Sequence, residues 1–376
     1  MSVRKRAWVT RNGESREAWI VDYTDQEGAR HIHTFARKKD AEAYEATVRV
    51  DVRQGIHTAP NKSITVARAA ADWITYVELE GRERSTVTQY KQHEKHINKR
   101  LGSHKLASLT TPRINAFRDD LLASMSRPLA RKVLTSLKSL LRDAQRRGNV
   151  AQNVAADVSI GVDKRGKRKL KVGTDIPTPD EIKRIINAAS GRLRPLLLTA
   201  IFAGLRASEL RGLRWEDVDL KRGELHVRQR ADRYGVIGKP KSGSSERTIP
   251  LGPLALNALR EWKLACPKGE LVFPTANGRI EHQSNIVRAL KPVVVAAGLK
   301  TRAGQAKYTG LHALRHFYAS WCINRREDGG LELPAKVVQE RLGHASIVMT
   351  MDTYGHLFPR TDDGTELAEA ERALLA

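Results

Sequence analysis

The sequence predicts a mainly α-helical chain with small β elements, an α+β protein built in more than one domain. Three observations lead there. Apolar residues recur at helical spacing over most of the chain beyond residue 63. Strand-like runs are confined to the first 36 residues and to two short stretches, 223–229 and 246–252. The length, 376 residues, exceeds one typical domain and allows two or three.

The first segment reads as a small sheet followed by a helix. "EAWIVDYT" and "ARHIHTFA" are strand-like and "DQEG" between them carries turn chemistry. "RAWVTRN" supplies a third strand, and "KKDAEAYEATVRVDV" a helix. His31 and His33 share one face of their strand. Nothing nearby completes a metal site, so a solvated strand face is expected. "HTAPNKS" then reads as a linker.

Four helices follow. Val66, Ala70, Trp73 and Val77 form one stripe behind a cap at Ser63 or Thr65. A second helix begins with a cap at Ser85 and stops at Gly102. A third opens on Thr-Pro at 111–112, and a fourth runs from "RPLARKV" to Gly148. Short connections make this a compact helical domain. Residues 61–160 carry 18 basic and 9 acidic residues, against 11 and 9 in the first 60, which favours a DNA-facing surface on the helical domain. "DKRGKRKLKVG" holds six basic residues and one acidic, as expected of a linker that crosses a phosphate backbone. A new domain opens near 176 with "TPDEIKRIINAAS" and ends in a short amphipathic tail helix, "DGTELAEAERALLA".

Charge narrows the function. Lys and Arg number 66 against 42 Asp and Glu, a net charge of +24. That excess favours a polyanion, with nucleic acid ahead of an anionic membrane surface. No apolar run approaches the roughly 20 residues of a membrane span. The basic start "MSVRKRAWVT" has no apolar run behind it and does not read as a secretory signal. Two cysteines, Cys266 and Cys322, make no disulfide framework and suit a reducing cytoplasm.

Four fragments of the last segment carry chemistry. In "FAGLRASELRGL", Gly204 allows a sharp turn and Arg206 precedes a helix start, together an anion cradle. Glu209 either holds that arginine or fills the first helical turn. In "GKPKSGSSERTIPL", Lys241 or Lys239 falls near a β-hairpin tip. In "TGLHALRHFYASW", His312 and Arg315 share a helical face. His316 lies four residues beyond His312, but the glutamate of a zinc H-E-x-x-H motif is absent. The fourth fragment, "RLGHASIVMTMDTYGHLFPR", holds His344 and Tyr354.

Two arginines, a lysine, histidines and a tyrosine suit attack on a phosphodiester. The cations neutralise the charge gained in the transition state, the histidines and lysine move protons, and the phenol attacks phosphorus. A free phenol, pKa about 10, is only ~0.1% ionised at pH 7, so it needs such a pocket. No acidic cluster suggests a magnesium pair, so no metal and no cofactor is expected.

"GLRASEL", "PKSGSSERTIPL", "HALRH", "LGHAS" and "DTYGH", in this order over about 150 residues, resemble the tyrosine recombinase (phage integrase) family. The resemblance implies three domains: an arm-type DNA-binding-like domain at 1–58, a helical core-binding (SAM-like) domain at 63–158, and, after a basic linker at 159–175, a mixed α/β catalytic domain at 176–376 with its tail helix. It implies that Tyr354 attacks the DNA, leaving a 3′-phosphotyrosine and a free 5′-hydroxyl. Arg206 and Arg315 would clamp the non-bridging oxygens, Lys241 (or Lys239) would protonate the leaving 5′-oxygen, His312 would transfer protons, and His344 would hydrogen-bond the phosphate. His356 reads as packing. The implied partners are double-stranded DNA attachment sites, further copies forming a tetramer on DNA, and accessory DNA-bending and directionality proteins, in the cytoplasm of a bacterial or phage-infected cell, nucleoid-associated. The alternatives are type IB topoisomerase-like relaxation and DNA binding without catalysis.

Overall fold

The structure is a computed structural model that describes residues 1–10, 14–25, 28–53, 63–161, 168–240, 243–359 and 365–375. The chain divides into two units, Met1–Lys164 and Arg165–Ala376.

The first unit begins with an antiparallel sheet of β1 (Ser2–Val9), β2 (Ser15–Thr24) and β3 (Arg30–Phe35), in that order. One face is covered by α1 (Lys38–Arg53), with Val21, Tyr23, Ala41 and Val48 forming a small core. Here the expectation of a solvated histidine face fails. His31 pairs across the sheet with Tyr23, and His33 with Val21, so both lie on the face that α1 covers. His31 is buried, its Nε2 2.7 Å from Asp25 Oδ2, and the His33 ring sits 5.0 Å from that of Tyr44.

The same unit holds four helices around a second core: α2 (Val66–Leu79), α3 (Arg84–Leu101), α4 (Thr111–Ser124) and α5 (Arg127–Arg146). Thr65, one of the two expected caps, accepts a hydrogen bond from the Arg68 amide at the start of α2. The expected cap at Ser85 is wrong. Glu83 is the N-cap, because its carbonyl accepts the Thr86 and Val87 amides and opens α3 two residues early. α5 is the spine: Ala130, Val133, Leu134, Leu137, Leu140, Leu141 and Ala144 recur at intervals of three and four and are all buried. The expected linker "HTAPNKS" lies outside the described residues apart from Ser63.

The second unit opens on α6 (Pro179–Ala188), started by a reciprocal capping box between Thr178 and Glu181. Then come α7 (Leu193–Ala203), α8 (Ala207–Gly212), β4 (Val218–Asp219), β5 (Glu224–Val227), the hairpin β6 (Arg230–Ala231) and β7 (Ile237–Gly238), and β8 (Arg247–Pro250). β4, β5 and β8 form an antiparallel sheet in that order. Six helices complete the unit: α9 (Pro253–Ala265), α10 (Gln283–Ala296), α11 (Leu311–Ile323), α12 (Ala335–Leu342), α13 (Ile347–Tyr354) and the tail helix α14 (Thr365–Leu375). Beyond Arg194 in its first turn, α7 is almost wholly apolar and buried, as a helix at the centre of a core must be, and α11 packs against it. Among the described residues, no helix is long and apolar enough to cross a membrane.

Two glycines set the geometry that matters later. α7 ends at Gly204, with φ +59°, and a Cβ there would stand 2.2 Å from the Tyr318 ring of α11. α12 ends at Gly343, with φ +61°, where a Cβ would meet the Arg247 guanidinium at 2.9 Å. Both positions need the left-handed region and lack room for a side chain. Gly204→Ala should therefore lower unfolding stability by about 2–5 kcal/mol, combining left-handed strain with overpacking. Chemical denaturation checks this; a loss below about 1 kcal/mol would mean that α7 and α11 are not held this close.

Candidate active site

The site is built where α7 and α12 end. A helix terminus leaves carbonyls without intrahelical donors and carries partial negative charge. Arginines take up these carbonyls. Arg315, on α11, donates from Nη1 to Gly204 O at 2.6 Å and from Nη2 to Leu342 O at 2.5 Å. Arg206, just before α8, donates from Nη2 to Gly343 O at 2.7 Å. Arg247, the first residue of β8, donates from Nε to Arg341 O at 2.8 Å and from Nη1 to Ser245 O at 2.9 Å.

One carboxylate ties two of these cations together. Glu209 accepts from Arg206 Nη1 at 2.6 Å and from Arg247 Nη2 at 2.8 Å, while its second oxygen also takes the Arg206 amide at 2.9 Å. Burial pushes a carboxyl pKa up. Here the Arg247 hydrogen bonds and charge, with Arg206 behind them, outweigh it and hold Glu209 down at about 2. Of the two roles weighed for Glu209, holding the arginine is the one observed. Two guanidiniums pair with this one carboxylate and a third, Arg315, has only carbonyl partners, so the cluster keeps an excess of positive charge suited to an anion. Arg315 registers that excess: burial, then Arg206, lowers its pKa to about 10. The Arg206 side chain is 33% exposed while those of Arg247 and Glu209 are 5% and 3%, so Arg206 is the member of this ion-pair group that reaches solvent.

Three histidines and a tyrosine line the same place. His344 follows Gly343 directly; it is buried, and its Nδ1 lies 2.9 Å from Thr350 Oγ1 on α13. Burial and the charges of Arg315, Arg206 and Arg247 pull its pKa down to about 4, so it is neutral at pH 7. Tyr354 is the last residue of α13 and is 2% exposed. Its ring lies parallel to that of His344 with centroids 6.3 Å apart, and its hydroxyl is 2.7 Å from His316 Nδ1. Burial raises the phenol pKa to about 12, opposed by Arg315. Burial, His312 and Arg315 lower His316 to about 4. His312 is open to solvent at the start of α11, its ring 4.4 Å from that of His316; partial desolvation, Arg315 and Arg206 lower its pKa.

Of the residues marked in the sequence, Arg206, Arg315, His344 and Tyr354 are thus brought together, with His312 at the rim through His316. Lys241 lies outside the described residues. Lys239 is exposed and sits one residue past β7, at the base of the β6–β7 hairpin and not at its tip. His356 packs as expected, its Nε2 bonded to Leu170 O at 2.8 Å. Two participants were not marked. Arg247 gave no signal beyond being an arginine in a strand. His316 was noticed only as a zinc ligand to be dismissed, and its contact with Tyr354 joins residues 38 positions apart.

An arginine cluster short of negative charge with a buried phenol beside it is an arrangement suited to phosphotransfer. Comparison with known proteins agrees with that class. Residues 177–360 match the phage integrase family. The chain is 27% identical over 354 residues to a XerC-like tyrosine recombinase of Caldanaerobacter subterraneus, covering 86% of this chain and 87% of that protein. It is 34% identical over 219 residues to tyrosine recombinase XerC of Xylella fastidiosa, covering 56% of this chain and 64% of that one. Its fold is similar to that of the Tn1549 transposon integrase, residues 82–397, in complex with a circular intermediate DNA, with a TM-score of 0.64 and 19% identity over 83% of this chain and all of that one. The chain belongs to the phage integrase family of tyrosine recombinases, and it is a tyrosine-type site-specific recombinase.

The Glu209 clamp predicts a pH signature. Its folded pKa, about 2, lies below the ordinary 4.5, so the clamp's contribution is complete above pH 4.5 and is lost as pH falls towards 2. Glu209→Gln leaves Arg247 buried without its counter-charge. It should cost about 3–5 kcal/mol at pH 7, and the gap from the native protein should narrow at pH 3. Denaturant titrations at the two pH values measure this; an equal gap at both would contradict the clamp.

Proposed function

We propose that this recombinase cuts and rejoins double-stranded DNA at attachment sites through Tyr354, integrating or excising a mobile element. One observation carries the reading: the Tyr354 hydroxyl is buried beside the Arg206–Arg315–His344 cluster of its own chain. A phosphate drawn to the excess positive charge would have its non-bridging oxygens held by Arg206 and Arg315, whose forked geometry suits two oxygens at once. With the Thr350 hydroxyl donating to His344 Nδ1, the ring is fixed and the neutral imidazole carries its hydrogen on Nε2, ready to donate to a phosphate oxygen.

The reaction then balances without an external energy source. The bond from Tyr354 Oη to phosphorus forms as the bond to the 5′-oxygen breaks. That oxygen takes its proton from Lys241, with Lys239 as the other candidate, and His312 handles the phenolic proton. A 5′-hydroxyl from the partner strand reverses the step and releases the tyrosine. With its pKa raised by burial to about 12, the phenol is neutral at pH 7 before DNA binds and must give up its proton to attack. Guanidinium charge serves where other phosphotransfer sites use metal ions.

The domain assignment follows from the same reading. The β1–β3 unit with α1 acts as an arm-type DNA-binding domain (1–58) and the α2–α5 bundle as the core-binding domain (63–158). A basic linker spans 159–175, and the catalytic domain spans 176–376. The working assembly is a tetramer on DNA, with accessory bending and directionality proteins, in the cytoplasm and nucleoid-associated. Topoisomerase-like relaxation is the second reading in mechanism, but the relatives named as recombinases favour strand exchange.

Supercoiled DNA carrying the segment that flanks the gene, incubated in EDTA and quenched with SDS, tests the chemistry. The native protein should become covalently attached to DNA and Tyr354→Phe should not, at unchanged DNA affinity. An adduct in Tyr354→Phe would remove the nucleophile assignment. Deleting residues 361–376, which include α14, should depress strand exchange at least tenfold more than single-site DNA binding; equal losses in the two assays would count against a role for the tail in assembly.

A further inference from the structure

We propose that His316 is a positioning residue that fixes the Tyr354 hydroxyl for attack. The inference deepens the reading of Tyr354 as nucleophile and rests on it. Ring packing against His344 and His316 fixes the plane of the phenol, but packing alone does not fix its oxygen. That oxygen has a partner 2.7 Å away, His316 Nδ1. The imidazole is itself held. It belongs to α11, lies edge-on to His312 with centroids 4.4 Å apart, and feels the carboxylate of Asp175.

The neighbouring residue on α11 is Arg315, whose guanidinium is tied at both ends, to Gly204 and to Leu342. Consecutive residues of one helix therefore fix the cation that would hold the phosphate and the nitrogen that holds the attacking oxygen. The spacing of nucleophile and electrophile is then set by a rigid element and not by the loop between α12 and α13. In this reading His316 holds the hydroxyl, and the phenolic proton is left to His312.

Two nearly isosteric substitutions separate holding from packing. Asn places a polar atom where Nδ1 stands, and His316→Leu places a methyl group there. On a nicked duplex that traps the cut strand, carrying the gene-flanking segment, His316→Leu should slow adduct formation about 100-fold at unchanged DNA affinity. His316→Asn should recover at least tenfold of that. A His316→Leu rate equal to native, or a His316→Asn rate no better than His316→Leu, overturns the proposal.

A measurement on the DNA-free protein tests the contact whether or not the variants fold well. With ¹⁵N-labelled histidine, Tyr354→Phe should shift one Nδ1 resonance, the one missing from His316→Asn. No shift means that the contact is absent and the proposal fails. If the shift appears but the native protein forms no adduct, the nucleophile reading itself fails, and this role falls with it.

Discussion

The carboxylate of Glu209, buried between Arg206 and Arg247, is the contact on which the site depends. Without it, Arg206, Arg247 and Arg315 would gather around two helix ends with only carbonyl dipoles to offset their repulsion. With it, the cluster is stable yet still short of negative charge. A site that bound its own cations with matched acids would have no affinity left for a phosphate. One acid among three guanidiniums holds the geometry and leaves the demand for an anion unmet. The depressed pKa values of His344 and His316 are consequences of burial among these cations.

The backbone carries as much of the design as the side chains. Gly204 and Gly343 end their helices in the left-handed region, and both sit where a Cβ would strike a neighbour. Their absence of side chains lets α7 approach α11, and α12 approach β8, closely enough for arginines to reach carbonyls at 2.5–2.8 Å. These carbonyls would otherwise be unpaired helix ends inside a core. Two obligations, pairing buried carbonyls and confining cations, are met by the same hydrogen bonds.

The order of the motifs was legible because it rests on residue identity: an arginine before a helix, a histidine and arginine on one helical face, a histidine, then a tyrosine. The helices were legible from periodicity, α5 most clearly. Contacts between distant segments were not. Arg247 meets Glu209 across 38 residues, and no local pattern in "SSERTIPL" marks its arginine side chain as buried. His316 meets Tyr354 over the same separation. His31 was misjudged because alternation says which residues share a strand face, but not which face a later helix will cover. The cap at Ser85 failed for a smaller reason: a backbone carbonyl two residues earlier was already accepting helical amides.

The central claim is that this one phenol, delivered by α13 into the cluster, becomes joined to DNA. The direct measurement is to find the residue that carries the nucleotide. Trapped adduct, digested with nuclease and trypsin, should yield residues 342–360 bearing a phosphotyrosyl nucleotide, and Tyr354 is the only tyrosine in that peptide. A nucleotide on any other peptide would contradict the account.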